Sequence, residues 1–403
     1  MSVFDRRDSS ISLPTSDRPK IRLVYLDGVR GLAAFYVVLF HIYQECTAKR
    51  EMPAIVLSAG KFLAYAEIAV AIFIVLSGYC LMLPVVRSGK DQIPGGVLNY
   101  LKRRAKRILP TYYAALFLSL LLLALTIGFQ SFTGFHWDAL SLGFQPGVAP
   151  SLGAIASHLL LVHNWDLDWA YAIDGSMWSM ATEWQIYFLF AMLLVPIYRR
   201  FGIIAAVVIA FVLGLAPHYL WSEWTDYTVS PWFAGLFALG MAGAFINFSD
   251  KPLALCLKRY IPWGVIAIAL WIVIVAIVVP EPAPLGVSRE LSCLGGLAAV
   301  CSLVYLTNAS DCEIKCRPLL LQLFENPYLV KLGTFSYSLY LTHIVVVVLV
   351  HQFLLSQHVP PTLTFLSLLI VAVPLSLLVA HTFYLLVEQR SLSSRAIPVS
   401  ELK

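Results

Sequence analysis

Charge is scarce in this chain. Of its 403 residues, 13% are Asp, Glu, Lys or Arg, against about one quarter in soluble globular proteins. Too few polar groups remain to cover a water-facing surface, which excludes an ordinary soluble domain. A secretory leader is not expected either. The first 22 residues are polar and carry Arg6, Arg7, Arg18, Lys20 and Arg22 among serines and prolines. They read as a disordered cytosolic tail, so the first hydrophobic helix is expected to serve as the insertion signal. No disulfide framework is visible among the seven cysteines. Cys80, Cys293 and Cys301 lie in apolar runs and read as small core hydrophobes. Cys312 and Cys316 flank Lys315 in a polar loop, but no second Cys/His pair accompanies them, so no metal is expected. An internal repeat of the kind many transporters show is also not visible.

Hydrophobic residues make up 59% of the chain, and the mean hydropathy is +0.79. Lipid is therefore the solvent for much of the surface. A bilayer-spanning helix needs roughly 20 mostly apolar residues. That length predicts spans at about 24–44, 62–84, 109–129, 174–197, 201–221, 230–248, 261–280, 287–307, 332–355 and 362–387. The fold class expected is all-α, a polytopic integral membrane bundle of about ten transmembrane helices. Its organisation is a tail over 1–22, a transmembrane domain over 23–395 and a C-terminal tail over 396–403.

An even number of spans places both termini on one side. Basic residues concentrate in the N-terminal tail, in alternate connections (Arg87 to Arg107, Arg199, Arg200, Lys251, Lys258, Arg259, Lys315, Arg317, Lys331) and after Arg390. The segment from Gln130 to Ile173 has no Lys or Arg. By the positive-inside rule both termini are cytosolic and that segment is exoplasmic.

Ionisable side chains within spans are expensive and point to function. In the first span, Arg30 and His41 are eleven residues apart. At about 100° per residue this is close to three turns, so they share a face roughly 16 Å apart along the axis. Asp27, three residues before Arg30, is placed to pair with it. The alternative is a snorkelling Arg30 and a satisfied core histidine. In the fourth span, Glu183 is expected at a depth similar to His41, where a carboxylate would orient the imidazole for general-base work; a buried structural pair is the alternative. Five cations between Lys102 and Arg107 precede Pro110, taken as the start of the third span. They suit phosphate groups, or simply anchor the topology against anionic lipid. Ser336, Tyr337, Ser338, Tyr340, Thr342 and His343 form a polar helix stretch, either site or interhelical glue. The aromatic and acidic residues His136, Trp137, Asp138, His163, Trp165, Asp166, Asp168, Trp169 and Tyr171 suit a sugar or an interfacial aromatic belt. Glu67, His351 and His381 receive no role.

Six stretches occur in an order that resembles the membrane-bound acyltransferase family 3. They are Tyr25-Leu-Asp-Gly-Val-Arg-Gly-Leu-Ala-Ala with His41, Ile72-Phe-Ile-Val-Leu-Ser-Gly-Tyr, Lys102-Arg-Arg-Ala-Lys-Arg-Ile-Leu-Pro-Thr-Tyr, Trp178-Ser-Met-Ala-Thr-Glu-Trp-Gln-Ile-Tyr, Ser336-Tyr-Ser-Leu-Tyr-Leu-Thr-His and Val387-Glu-Gln-Arg. The resemblance covers roughly residues 23–395. It implies transfer of an acyl group, commonly acetyl, from cytosolic acyl-CoA as co-substrate to a hydroxyl of a glycan, lipid or small natural product. It implies Arg30 and His41 as the core pair, with His41 as general base or acyl carrier, and Glu183 as a catalytic partner. Arg103, Arg104 and Arg107 become acyl-CoA contacts, and Trp178, Ser179, Tyr337 and His343 substrate contacts. Two departures stand out. Glu67 falls where the family often has an apolar run, and Trp184 replaces a frequent second Glu. No appended esterase-like domain is expected after residue 395.

The membrane is expected to be the plasma membrane in a bacterium and an endomembrane in a eukaryote. The partners expected are membrane lipid, acyl-CoA and the hydroxyl acceptor, and no nucleic acid. A rival class is a proton-coupled transporter or flippase using Arg30, His41 and Glu183 as a relay. A non-catalytic membrane scaffold is a third.

Overall fold

The computed structural model describes residues 23–47, 52–138, 143–220, 230–279, 289–310 and 317–393. The two expected tails and the Cys312–Cys316 loop lie outside them. Each of the ten expected spans contains a helix: α1 Tyr25–Thr47, α2 Ala66–Arg87, α3 Gly96–Thr133, α4 Trp178–Phe201, α5 Ile203–Leu220, α6 Phe233–Phe248, α7 Trp263–Val278, α8 Arg289–Ser310, α9 Ser336–Ser356 and α10 Pro361–Ser391. Among the described residues, eight of these are long and apolar enough to cross a membrane. A ninth, α6, qualifies when joined to the helix Pro252–Tyr260, from which it is bent by 90°. α7, at 16 residues, is apolar but shorter. No strand occurs among the described residues.

The surface confirms lipid as solvent. On α5, Ile204, Val208 and Val212 are exposed at four-residue spacing, one face of a helix. On α7, Val265, Ile268 and Ile272 are exposed likewise. Because lipid is as apolar as these side chains, helices associate through close packing and interhelical hydrogen bonds instead. The crossing of α2 and α6 shows how. A side chain on Gly78 would collide with the Phe237 carbonyl, and one on Gly240 with the Val75 carbonyl. Glycine at both positions lets the two backbones touch.

Polar pairs supplement this packing. Tyr25 and Tyr79 each share a hydrogen bond with the Thr307 hydroxyl, at 2.6 and 2.7 Å. Asn247 donates to the Tyr79 oxygen at 2.7 Å. This buried cluster ties α1, α2, α6 and α8 together.

α3 departs from expectation. It begins at Gly96, and Pro110 lies inside it. The basic run is therefore part of the helix. Proline inside a helix forfeits one backbone bond, to the carbonyl four residues earlier. For Pro110 that carbonyl belongs to Lys106, and a bundle tolerates such a break; two residues further on, Tyr337 donates to the Ile108 carbonyl at 3.2 Å and ties α9 to α3. At 38 residues, α3 measures about 57 Å, nearly twice the hydrocarbon thickness, so its basic end projects beyond the apolar layer.

The segment after α3 folds back onto the bundle. Ser151 caps the helix Leu152–Leu160 by accepting from the Ala154 amide at 3.1 Å. Tyr112 and Tyr113 of α3 donate to the carbonyls of His158 and Leu159. Asn164 and Gln185 exchange hydrogen bonds at 2.9 and 3.4 Å, pinning the segment to α4.

Candidate active site

A cavity of about 130 Å³ opens between α1, α2, α3, α4 and α9. Its charged lining is Arg30, Arg104, Arg107 and Glu183. Its hydroxyl groups come from Ser77, Ser179, Tyr187, Ser336, Tyr337 and Tyr340, and its apolar wall includes Val70, Phe73 and Met180. Three guanidiniums against one carboxylate give the lining an excess of positive charge beside an apolar wall.

The helix geometry sorts the basic run. Arg104 and Arg107, three residues apart, share one face and line the cavity. Arg103 is turned to the neighbouring loop, where it donates to the Pro94 carbonyl at 2.9 Å. Lys102 and Lys106 are exposed. The five cations are thus not one cluster. Arg30 is anchored as its spacing predicts, at 3.1 Å from Asp27, and its other terminal nitrogen donates to the Cys80 sulfur at 3.1 Å. The Arg104 Nε, by contrast, is buried without a hydrogen-bond partner among the described residues. A desolvated donor left open costs free energy unless something else fills it.

Glu183 does not orient His41. It accepts hydrogen bonds from Ser77, at 2.5 Å, and from Tyr187. Ser77 is three residues before Cys80, less than one helical turn, so Glu183 lies nearer the Arg30 level than the His41 level. Helical rise sets heights along one helix and says nothing of the offset between helices. His41 instead pairs through Nδ1 with the Gln44 side-chain oxygen at 3.1 Å, and its ring lies 5.1 Å from that of His343.

The tautomers follow from these partners. The His343 Nδ1 lies 2.9 Å from the Leu339 carbonyl, which can only accept, so this nitrogen carries the proton. The His343 Nε2 is then a lone-pair acceptor, buried and unpartnered. With Gln44 accepting from the His41 Nδ1, the His41 Nε2 is likewise basic. Neither imidazole lines the cavity itself. Tyr340 links the two regions: it lines the cavity, its hydroxyl is 2.6 Å from that of Ser179, and its ring is 6.1 Å from that of His343.

The remaining expected residues divide. Ser179 and Tyr337 line the cavity. Trp178 does not; its buried ring packs against Phe233 at 6.0 Å. Trp184 meets Phe188 edge-on at 5.2 Å and is not part of the lining, so a carboxylate in its place would not face the cavity. Ser77 and Tyr187 were not singled out from the sequence, Cys80 was read as a small core hydrophobe, and Tyr340 was named only within the polar stretch of α9. Tyr187 and Tyr340 stand one helical turn after Glu183 and Ser336 within the quoted motifs, and that spacing was the available signal. Glu388, from the last motif, is buried and accepts from Ser338 at 2.5 Å, joining α9 to α10.

Outside the spans, His158 and His163 stack at 3.8 Å with rings nearly parallel. Burial lowers the pKa of His158 to about 4 and, with the neighbouring His158 adding to it, that of His163 to about 3. Both rings are neutral at physiological pH and form a packing element. Trp165 and Trp169 are exposed, while Asp166 caps the short helix Leu167–Ala170.

A family model described as an acyltransferase domain, Acyl_transf_3, matches residues 23–381. No curated protein and no solved structure matches the chain.

Proposed function

The chain belongs to acyltransferase family 3, and from that premise we propose that it moves an acyl group, acetyl in the first instance, from cytosolic acyl-CoA to a hydroxyl of a glycan, lipid or small-molecule acceptor. The observation that carries this reading is the cavity's polarity. Arg30, Arg104 and Arg107 line it together with an apolar wall, and Tyr340 at its lining borders the His343–His41 pair. A CoA thioester has the matching polarity: phosphates at one end and an acyl thioester on an extended arm.

Arg104 and Arg107 hold the donor's phosphates as charge-assisted, planar donors, with Arg103 at the mouth. Arg30, fixed by Asp27, steadies the arm. His41, oriented by Gln44, takes the proton of the attacking hydroxyl at Nε2, and His343 offers its free Nε2 to the acceptor. Glu183, held between Ser77 and Tyr187, offsets part of the arginines' charge and sets the two hydroxyls. The distribution of Lys and Arg favours cytosolic termini by the positive-inside rule, and on that reading the basic end of α3 lies on the side where acyl-CoA is made.

The test uses purified protein in liposomes with radiolabelled acetyl-CoA and an extract fractionated into glycans, lipids and small molecules. Expected are thiol release and a labelled product, both reduced at least a hundredfold by His41→Ala. Full activity of that variant would refute the role of His41. Absence of thiol release from folded wild type with acetyl-CoA and longer acyl-CoAs, together with uptake driven by a proton gradient, would establish transport instead.

A further inference from the structure

We propose that Tyr340 is the oxyanion-stabilising residue of this site, with Ser179 as the hydroxyl that frees its proton. The inference rests on the acyl-transfer reading above and deepens it.

The two hydroxyls lie 2.6 Å apart, and either can be the donor. They are 161 positions apart in sequence, so only the packing of α4 against α9 joins them. If Tyr340 donates to Ser179, the Ser179 proton is left to the Ser176 carbonyl, a long contact of 3.4 Å. If Ser179 donates to Tyr340, the phenolic O–H is free and directed by its neighbours. The second arrangement leaves one unspent donor on a ring that is buried, lines the cavity, and is braced edge-on by Phe73 at 6.1 Å. A rigid donor that need not reorganise, in a site shielded from water, is what a developing oxyanion requires.

Position supports the assignment. Tyr340 is the residue shared by the cavity lining and the histidine pair. A thioester carbonyl carried along the cavity from the arginines meets this hydroxyl on the residue whose ring lies 6.1 Å from that of His343. Tyr337, three residues earlier on the same lining, spends its hydroxyl on the Ile108 carbonyl. Tyr187 spends its own on Glu183.

The step balances as follows. The acceptor oxygen attacks the thioester carbon while its proton passes to the His41 Nε2. The carbonyl π pair moves onto oxygen, where the Tyr340 O–H donates to it and Ser179 donates to the Tyr340 oxygen. Collapse restores the carbonyl and breaks the carbon–sulfur bond. The CoA thiolate leaves with that electron pair and takes the proton from His41.

The experiment measures kcat and KM for acetyl-CoA, with the extract fraction that supports thiol release as acceptor. Tyr340→Phe is expected to lower kcat by about 10²–10³-fold with KM for acetyl-CoA changed by less than threefold. Ser179→Ala is expected to lower kcat by a smaller factor. Replacement of Tyr340 by 3-fluorotyrosine, which keeps the ring and provides a stronger donor, is expected to keep kcat at the wild-type level or above, a result that a purely structural role would not order in this way. Unchanged kcat in Tyr340→Phe overturns the proposal, as does a fluorotyrosine protein as slow as the phenylalanine variant. So does a loss expressed wholly in KM. Wild type that releases no thiol overturns the underlying reading instead, so the two failures are told apart before any variant is made. Should Tyr340→Phe fail to fold, the fluorotyrosine protein and Ser179→Ala still decide.

Discussion

Two polar clusters lie inside this bundle, and they differ in how much of their hydrogen-bonding capacity is spent and in whether charged groups are involved. Tyr25, Thr307, Tyr79 and Asn247 bond mainly to one another across four helices, with the Asn247 Oδ1 the one buried polar atom of the four that has no partner among the described residues. Around the cavity, the Arg104 Nε and the His343 Nε2 have no partner among the described residues, and the lining carries three guanidiniums and one carboxylate. Both clusters consist of polar residues in apolar sequence, and both satisfy the usual test for intramembrane function. The closed cluster holds helices together. The open one keeps donors and acceptors that the described residues do not use, which is what the proposed acyl-CoA site requires.

The sharpest way to break this contrast is to remove one member from each side. Arg104→Ala should raise the KM for acetyl-CoA roughly ten- to a hundredfold, the worth of a charge-assisted bond of about 1.5–3 kcal/mol. Its thermal midpoint should hold or rise, because the protein itself loses no hydrogen bond there. Tyr79→Phe should do the reverse. It leaves the Asn247 side-chain amide without its acceptor and removes one of the two bonds to Thr307, so stability falls by about 1–3 kcal/mol, while KM and kcat of the folded fraction stay within twofold. Kinetic loss in Tyr79→Phe with stability intact would make the closed cluster part of the site.

A smaller effect on turnover, but a larger one on folding yield, is expected at the α2–α6 crossing. Gly240→Val drives a branched side chain into the Val75 carbonyl. Overpacking of this kind costs about 1–3 kcal/mol or more, read as a lower midpoint in detergent. α2 carries Ser77 and Cys80 into the cavity, so the acetyl-CoA KM should rise with it. A midpoint equal to wild type would show that the crossing is looser than the backbone contact implies.

The smallest effect concerns the histidines outside the spans. In the folded protein His158 titrates at about 4 and His163 at about 3, against roughly 6.5 in an unfolded chain. The folded state therefore binds fewer protons in this range. Stability contributed by the neutral stack is intact above pH 6.5 and is lost as pH falls toward 4. At pH 5 each ring accounts for a loss of about 1–2 kcal/mol. His163→Phe keeps an aromatic ring in the stack and should reduce the drop in midpoint between pH 7 and pH 5 by about half. A drop identical to wild type would mean that the ring is protonated in place, and would return His163 to the list of functional residues.

How much of this was legible beforehand varies residue by residue. The Arg30–Asp27 pair and the shared face of Arg30 and His41 follow from helical periodicity, which is local. Ten helical segments were readable because a lipid-crossing helix must be long, apolar and self-satisfied in its backbone bonds. The division of the cations was within reach of the same rule. Placing the helix start at Pro110 hid it, because proline reads as a boundary in water and is tolerated inside a bundle. The partner of Glu183 was out of reach. Its distance from His41 depends on how α4 is offset against α1, and no local rule encodes that offset.

The sequence by itself determined that this chain lives in lipid, where its spans fall, which family it resembles and which residues stand on common helix faces. Each of these depends on composition or on spacing within one segment. Only the tertiary structure decided that Arg104 and Arg107, but not Arg103, face a cavity. The same holds for the joining of Glu183 to Ser77 and Tyr187, and for Ser179 meeting Tyr340 beside the histidines. Those facts depend on contacts between residues far apart in the chain. They are set by the depth and rotation at which one helix packs on another, where glycines and interhelical hydrogen bonds act together.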